Sequence, residues 1–491
     1  MSALLVACVL VPLATSLGTA LLGTRPRAQR ALSLAGVAAF FACAVALLVH
    51  VGRAGTLRST MGGWPAPFGI ELVADPLGAG MVVITALMGA AVLVFQLADA
   101  DPAPDHPTLL PMTHAMLAAV TGAFLTGDLF NVYVWFELML VSSLGLLVYQ
   151  AGVRHLEATL KYFVLNAIGT LLLLAGVAYL YAATGHLGFG ALAAAARDAE
   201  AGSLTPFVVV VALAFLVKAG AFPLFAWLPA SYPTLPAPLL ALFAGLLTKV
   251  GVYALLRLFG GVFPMTSAFV FEALAWIAAA TMLFGVLGAA YHWDMRRILA
   301  YHIVSQIGYM LLGVALASER GQLGTIFYVV HHIVVKANLF LIVALIARHT
   351  GSYDLRRSGG LFTARPALAA LFAVPALSLV GVPPLSGFWA KLLVVQETLA
   401  QGRWALAGVA LLVGALTLYS MAKIWMGAFW KPHPDDDWTP PTDTRLGPAW
   451  LAAGVLALVT LFIGLSPEPL LRFAAFAAEE LPAALPEGLT R

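Results

Sequence analysis

Residues 205–257 read TPFVVVVALAFLVKAGAFPLFAWLPASYPTLPAPLLALFAGLLTKVGVYALLR. They contain two apolar runs long enough to cross a bilayer, and each carries one lysine near its middle, Lys218 and Lys249. A charge at the bilayer centre costs roughly 2.5–3.5 kcal/mol on insertion scales, so a chain keeps one only where it faces protein or trapped water. Pro223 interrupts the first run five residues after its lysine. A proline inside a span frees backbone carbonyls, which membrane proteins tolerate beside a buried polar cavity. Lysine and break together predict a wet site within the membrane.

A second copy of the arrangement lies at 367–398, ALAALFAVPALSLVGVPPLSGFWAKLLVVQET, where Pro383 and Pro384 interrupt the run and Lys391 follows. Interrupted segments at corresponding places in two halves point to the translocation site of a transporter.

Composition agrees. The chain of 491 residues is 62% hydrophobic and 10% charged, with a mean hydropathy of +0.95, the profile of a polytopic membrane protein. A formal charge of +3 is too small for this size to call for a nucleic-acid partner. Cys8 and Cys43 both lie in apolar runs and cannot by themselves ligate an iron–sulfur cluster. No dinucleotide fingerprint, phosphate loop or zinc-spaced set is present, so no cofactor, metal site or enzymatic centre is expected on this chain. The N-terminal stretch MSALLVACVLVPLATSLGTALLG has no basic leader and reads as a first span.

Runs of about 20 apolar residues span the hydrocarbon core. Fourteen are expected, near 3–23, 31–51, 75–97, 109–126, 129–150, 158–183, 205–228, 237–258, 268–290, 298–317, 322–347, 367–398, 404–429 and 447–466. Spans 7 and 12 are the broken ones. The tail 468–491, with Glu468, Arg472, Glu479, Glu480 and Glu487, is expected at the surface. An even count puts both ends on one face. The odd-numbered loops carry twelve Lys and Arg, Arg445 among them, against eight, Arg491 among them, for the other face. The positive-inside rule then places both termini outside the cell; the acidic loop around Asp99, Asp101 and Asp105 does not overturn it, since acids weigh little.

Of seven lysines, six lie in or at the ends of spans, whereas all nineteen arginines map to loops or span edges. Arginine does not release its proton in proteins, and lysine can. The chain places the releasable cation in the membrane and keeps the permanent one out, as a proton relay requires.

The acid deep in an apolar run is Glu137, nine residues or about 14 Å along a helix from Asp128. Lys218 is the expected partner of Glu137, under the pairing rule for intramembrane charges; a static ion pair fixing helix packing is the blander alternative. Lys249 has no acid within a turn. In span 11, FYVVHHIVVKANLFLIVALI, His332 and Lys336 are four apart and share a face, while His331 points elsewhere. Histidine both accepts and donates protons near neutrality. His302 and Gln306 are also spaced by four and extend a polar axis. Lys161 and Lys423 are secondary candidates, each within about two turns of a span end from which a long side chain can reach the interface. Glu272 and Glu397 are expected at the surface or in a vestibule.

The motifs GDLFNVYVWFELM, LVKAGAFPLFAWLPASY, LLTKVGVYALLR, DMRRILAYHIVSQIGYM, HIVVKANLF and GVPPLSGFWAKL occur in that order between about residues 70 and 430. They resemble the antiporter-like subunits shared by respiratory complex I, membrane hydrogenases and multisubunit Mrp-type sodium/proton antiporters, and most of all the Mrp D subunit. Phe225 stands where many complex I members have histidine, which removes one relay position of that pattern.

The resemblance implies an all-α membrane protein of about 14 transmembrane helices with two inverted five-helix repeats. It divides the chain into spans 1–3 (1–106), the first repeat (107–260), the second repeat (261–430) and a final loop, span and tail (431–491). It further implies proton translocation along Glu137, Lys218, Lys249, His332 and Lys391, exchange of protons against sodium or another monovalent cation, partner subunits of a hetero-oligomeric antiporter, and residence in the bacterial cell membrane. A redox-driven pumping subunit of a complex I-like or hydrogenase-like assembly is the alternative.

Overall fold

The computed structural model describes residues 2–64, 69–98, 106–150, 152–200, 202–264, 266–439, 441 and 446–483. Asp99, Asp101, Asp105, Arg445, Glu487 and Arg491 lie outside them. The chain opens with α1 (Ser2–Leu21) and α2 (Pro26–Ala54), joined by a hairpin of β1 (Leu57–Thr60) and β2 (Glu71–Ala74) to α3 (Pro76–Gln96). The first half continues through α4 (Leu109–Leu125), α5 (Leu129–Val148), α6 (Val153–Thr184), the short α7 (Phe189–Asp198), α8 (Thr205–Ala219), α9 (Trp227–Ser231) and α10 (Ala237–Arg257). The second comprises α11 (Ala268–Tyr291), α12 (Met295–Ala315), α13 (Glu319–Thr350), α14 (Leu361–Ala364), α15 (Pro366–Val380), α16 (Ser386–Ala400) and α17 (Trp404–Trp425). Then come α18 (Gly447–Leu465) and α19 (Glu468–Ala483).

Among the described residues eleven helices are long and apolar enough to cross a membrane, and three shorter apolar ones, α4, α8 and α15, complete the fourteen expected spans. Local chemistry starts several of them. Asp75, Asp128 and Ser318 each accept from a backbone N–H in the first turn of α3, α5 and α13, at 2.8, 2.7 and 3.1 Å.

The two five-span blocks share one order of elements. In each the fourth span is broken, as α8/α9 in the first block and α15/α16 in the second. Because the chain enters these two spans from opposite faces, the breaks are mutually inverted. Glycine, rather than proline, ends the first piece of each. Gly220 (φ 76°) and Gly381 (φ 97°) take the left-handed conformation that glycine adopts without penalty. Ala221 N–H then donates to Leu216 O at 3.0 Å, and Val382 N–H to Leu377 O at 3.1 Å, the same closing turn twice. Pro223, Pro383 and Pro384 follow inside the breaks, where no helical N–H is needed.

Helices α10, α12 and α13 form the centre. Every residue in the apolar windows of α10 and α13 is buried. Around them α6, α11, α17 and α18 carry many exposed apolar side chains, such as Leu171, Trp276, Leu411 and Leu458, a surface suited to lipid or partner subunits. The described part of the tail, α19, lies at the surface with Glu468, Arg472 and Glu479 exposed. Its other face packs on α3 and α13, burying Ala474, Ala477, Ala478 and Leu481, because its apolar residues fall on one face.

Candidate functional site

Lys218 occupies the last turn of α8, immediately before the first break, and is buried. Its Nζ donates to the Thr170 hydroxyl at 2.8 Å and to Asn166 O at 3.1 Å, both on α6, and lies 5.6 Å from the centre of the Phe136 ring. The expected ion pair with Glu137 is not formed. Glu137 is half-buried on α5, next to Phe136, and acts on Lys218 only through space. Polar α6 groups supply the ammonium with acceptors, so the carboxylate is not needed to satisfy it.

Lys249 is fully buried on α10 and donates to Ala244 O of its own helix. Gly251, two residues on, brings α10 against the end of α8, since a Cβ there would lie 2.6 Å from Ala219 N. The opposite side of α10 faces α13, which carries His332 and Lys336, both fully buried. Lys336 donates to Leu299 O of α12 at 3.1 Å, one turn before His302. The side-chain nitrogens of His302 and His332, and polar atoms of Thr248, Ser305 and Gln306, are buried with no protein hydrogen-bond partner. All sit on α10, α12 or α13.

Lys391 follows the second break on α16. Its Nζ reaches back to Val380 O at 2.7 Å and lies 5.2 Å from the centre of the Tyr309 ring. Tyr309 stacks on Tyr328, whose hydroxyl donates to Gln306 Oε1 at 2.6 Å. His331 Nδ1 is 2.8 Å from Ser386 Oγ, which is 2.9 Å from Ser378 Oγ. The histidine read as pointing away from the axis is therefore the one tied to the second break. Sequence reasoning missed Tyr309, Tyr328, His331 and Ser386. The serines flanking the break, Ser378 and Ser386, were the available signal for His331.

Lys161 and Lys423 do not join this axis. Lys161 is exposed and paired with Glu157 one turn away. Lys423 donates to Ala290 O at 2.7 Å and His292 O at 2.6 Å, closing the C-terminal end of α11. Glu272 is half-exposed and pairs with Arg403 at 3.2 Å. Glu397 is buried, accepting from Ser318 and Gln401 at 2.7 and 2.9 Å, so the surface assignment fails for it. The separation of arginine from the interior also has an exception: Arg257, at the end of α10, is buried and forms a two-toothed ion pair with Asp75. Among the described residues no His, Cys, Asp or Glu cluster could hold a metal ion.

At the face opposite the β-hairpin a cavity of about 710 Å³ opens beside the first break, lined by Glu157, Lys161, Phe225, Pro229, His292 and Tyr301. Burial, then the nearby Arg297 and Lys423 cations, pushes the His292 imidazole below its ordinary value despite the opposing pull of Asp294.

A family model described as NADH:quinone oxidoreductase/Mrp antiporter, TM matches residues 126–417. The Na(+)/H(+) antiporter D chain of Alkalihalophilus pseudofirmus is 38% identical over 98% of this chain and 97% of its own length. A chain of the Mrp complex from Dietzia sp. DQ12-45-1b superposes with a TM-score of 0.89, at 33% identity over 98% and 97% of the two chains. A chain of respiratory complex I from Thermus thermophilus gives 0.85 at 25% identity, over 98% and 100%. With broken helices, central lysines and whole-length similarity all in place, the chain belongs to the NADH:quinone oxidoreductase/Mrp antiporter transmembrane family.

Proposed function

We propose that this chain is the proton-translocating subunit of a multisubunit sodium/proton antiporter of the bacterial cell membrane, a transporter subunit and not an enzyme. Protons pass along Glu137, Lys218, Lys249, His332 and Lys391, with Lys336 and His302 beside the path. Residues 107–260 and 261–430 act as two inverted half-units, each with its broken span. The face bearing the hairpin, the start of α1 and the end of α18 is the outer one, so both termini lie outside.

The observation that carries this reading is the run of unpartnered polar atoms between Lys249 and Lys391. Buried polar groups without protein partners are satisfied by water in natural proteins. Thr248, His332, His302, Ser305 and Gln306 then mark a hydrated strip between two lysines, and lysine, water and histidine together can hand protons on. Two broken spans give the strip one end toward each face. The cavity beside the first break supports entry or exit at the face opposite the hairpin.

Similarity to the D chain of a sodium/proton antiporter across nearly the whole length favours sodium as the exchanged cation and an assembly with other membrane subunits. Reconstituted complex carrying Lys249→Ala should assemble and lose cation/proton exchange. Full exchange in that variant would sink the relay, and co-purifying flavin or iron would replace the antiporter with a redox-driven pump.

A further inference from the structure

Lys249, Tyr253 and Arg257 are spaced by four along α10 and so lie on one face of it, running from the centre of the molecule to the hairpin face. At that end Arg257 forms its ion pair with Asp75, which is fully buried at the start of α3. Arg257 Nε donates to the Tyr253 hydroxyl at 2.9 Å, and that hydroxyl donates to Phe124 O at 2.6 Å, at the end of α4. The cluster thus ties α3, α4 and α10 together. There is no slack around it, since a Cβ on Gly78 would lie 2.8 Å from Phe124 O.

Two small cavities meet at this cluster. The outer one, about 20 Å³, is lined by Arg58, Glu71, Thr126 and Arg257. That is room for about one water, given the roughly 10–15 Å³ a water requires. The inner one, about 10 Å³, is almost wholly apolar and runs from Arg257 and Tyr253 to Phe136 and Phe215. Phe136 is the ring over which Lys218 Nζ sits. From the hairpin face inward the order is therefore a small cavity edged by charged side chains, the guanidinium, an apolar constriction and Lys218. Arg257 lines both cavities, together with Phe189 and Val262.

We infer that the Asp75–Arg257 pair is a fixed-charge barrier that seals a passage between the hairpin face and Lys218, keeping protons from crossing the first half without exchange. A guanidinium holds its proton at all working pH values, so it repels cations and passes none on. Asp75 pins it across the opening, and the apolar inner cavity excludes the water that would bypass it. The relay proposed above enters this inference only through what lies on the inner side, Lys218.

The test is passive proton entry into liposomes holding the complete complex, with a pH gradient imposed, no sodium present and a trapped pH-sensitive dye. Arg257→Gln should collapse the gradient several-fold faster than wild type, and Arg257→Lys, whose ammonium can release its proton, should leak to an intermediate degree. Asp75→Asn retains an acceptor for Gly78 but releases the guanidinium, and it should leak to a lesser degree. It also decides the matter if Arg257→Gln does not assemble. Wild-type leak in assembled Arg257→Gln, or in Asp75→Asn in its place, overturns the barrier. Adding Lys218→Ala separates the two readings: loss of the leak supports both, and persistence of the leak keeps the barrier while removing Lys218 from the path.

Discussion

Lys391 Nζ donates to Val380 O at 2.7 Å, across the second break, so the side chain of one half-helix holds the open carbonyl end of the other. That end is where α15 leaves its last carbonyls without helical partners and where its dipole is negative. The ammonium thus has a backbone acceptor without an acid beside it. Lys391→Arg keeps the charge and cannot let its proton go. It should slow exchange by roughly tenfold or more, about 1.4 kcal/mol of barrier. Sodium-driven proton uptake in vesicles measures this, and wild-type rates would mean that Lys391 contributes charge alone.

Gly381→Ala tests the same break from the backbone side. A left-handed conformation costs a non-glycine residue about 1–2 kcal/mol. The new Cβ would also lie 3.0 Å from Lys391 Cδ, whereas at Gly220 the nearest atom is Leu228 Cδ1 at 3.4 Å. Both alanine variants should lower thermal stability of the complex by a similar amount, but Gly381→Ala should lose more exchange. Equal exchange in the two variants would show that Lys391 adjusts freely.

Glu137→Ala should abolish exchange while the complex assembles at wild-type levels. Lys218 already has Thr170 and Asn166 as partners, so removing the carboxylate leaves no buried cation without acceptors. Loss of assembly instead would mark the glutamate as a packing residue.

Lys423→Met should destabilise the complex by about 1.5–3 kcal/mol, the range for hydrogen bonds to a charged group, because carbonyls at the end of α11 lose their donor. Exchange per assembled complex should be retained. Lys161→Met removes an exposed, solvent-screened pair and should change neither quantity. A specific exchange defect in either variant would return that lysine to the proton path.

The order of apolar runs, the two interruptions and the lysines inside them were open to reading from the chain alone, because water and hydrocarbon impose length and polarity on each span separately. That reasoning also singles out Lys249 and His332, whose burial follows from the apolar length on either side. It cannot assign partners. Lys218 takes acceptors from α6 instead of Glu137, His331 binds Ser386, and Asp75 meets Arg257 across 182 positions of sequence. Each of these depends on which helices lie side by side and how they are rotated, and no local periodicity encodes that.

The interruptions show the same division within a few residues. Proline marks where a helix cannot continue, so the sequence determined that spans 7 and 12 break. Only the folded chain decided that the breaks close at Gly220 and Gly381, since the closing turn requires a left-handed residue. Likewise the sequence put lysines into the apolar runs, while the packing of the helices decided that Lys218, Lys249 and Lys336 are buried and Lys161 is exposed. Transfer free energy acts residue by residue, whereas contact geometry is a property of the whole bundle.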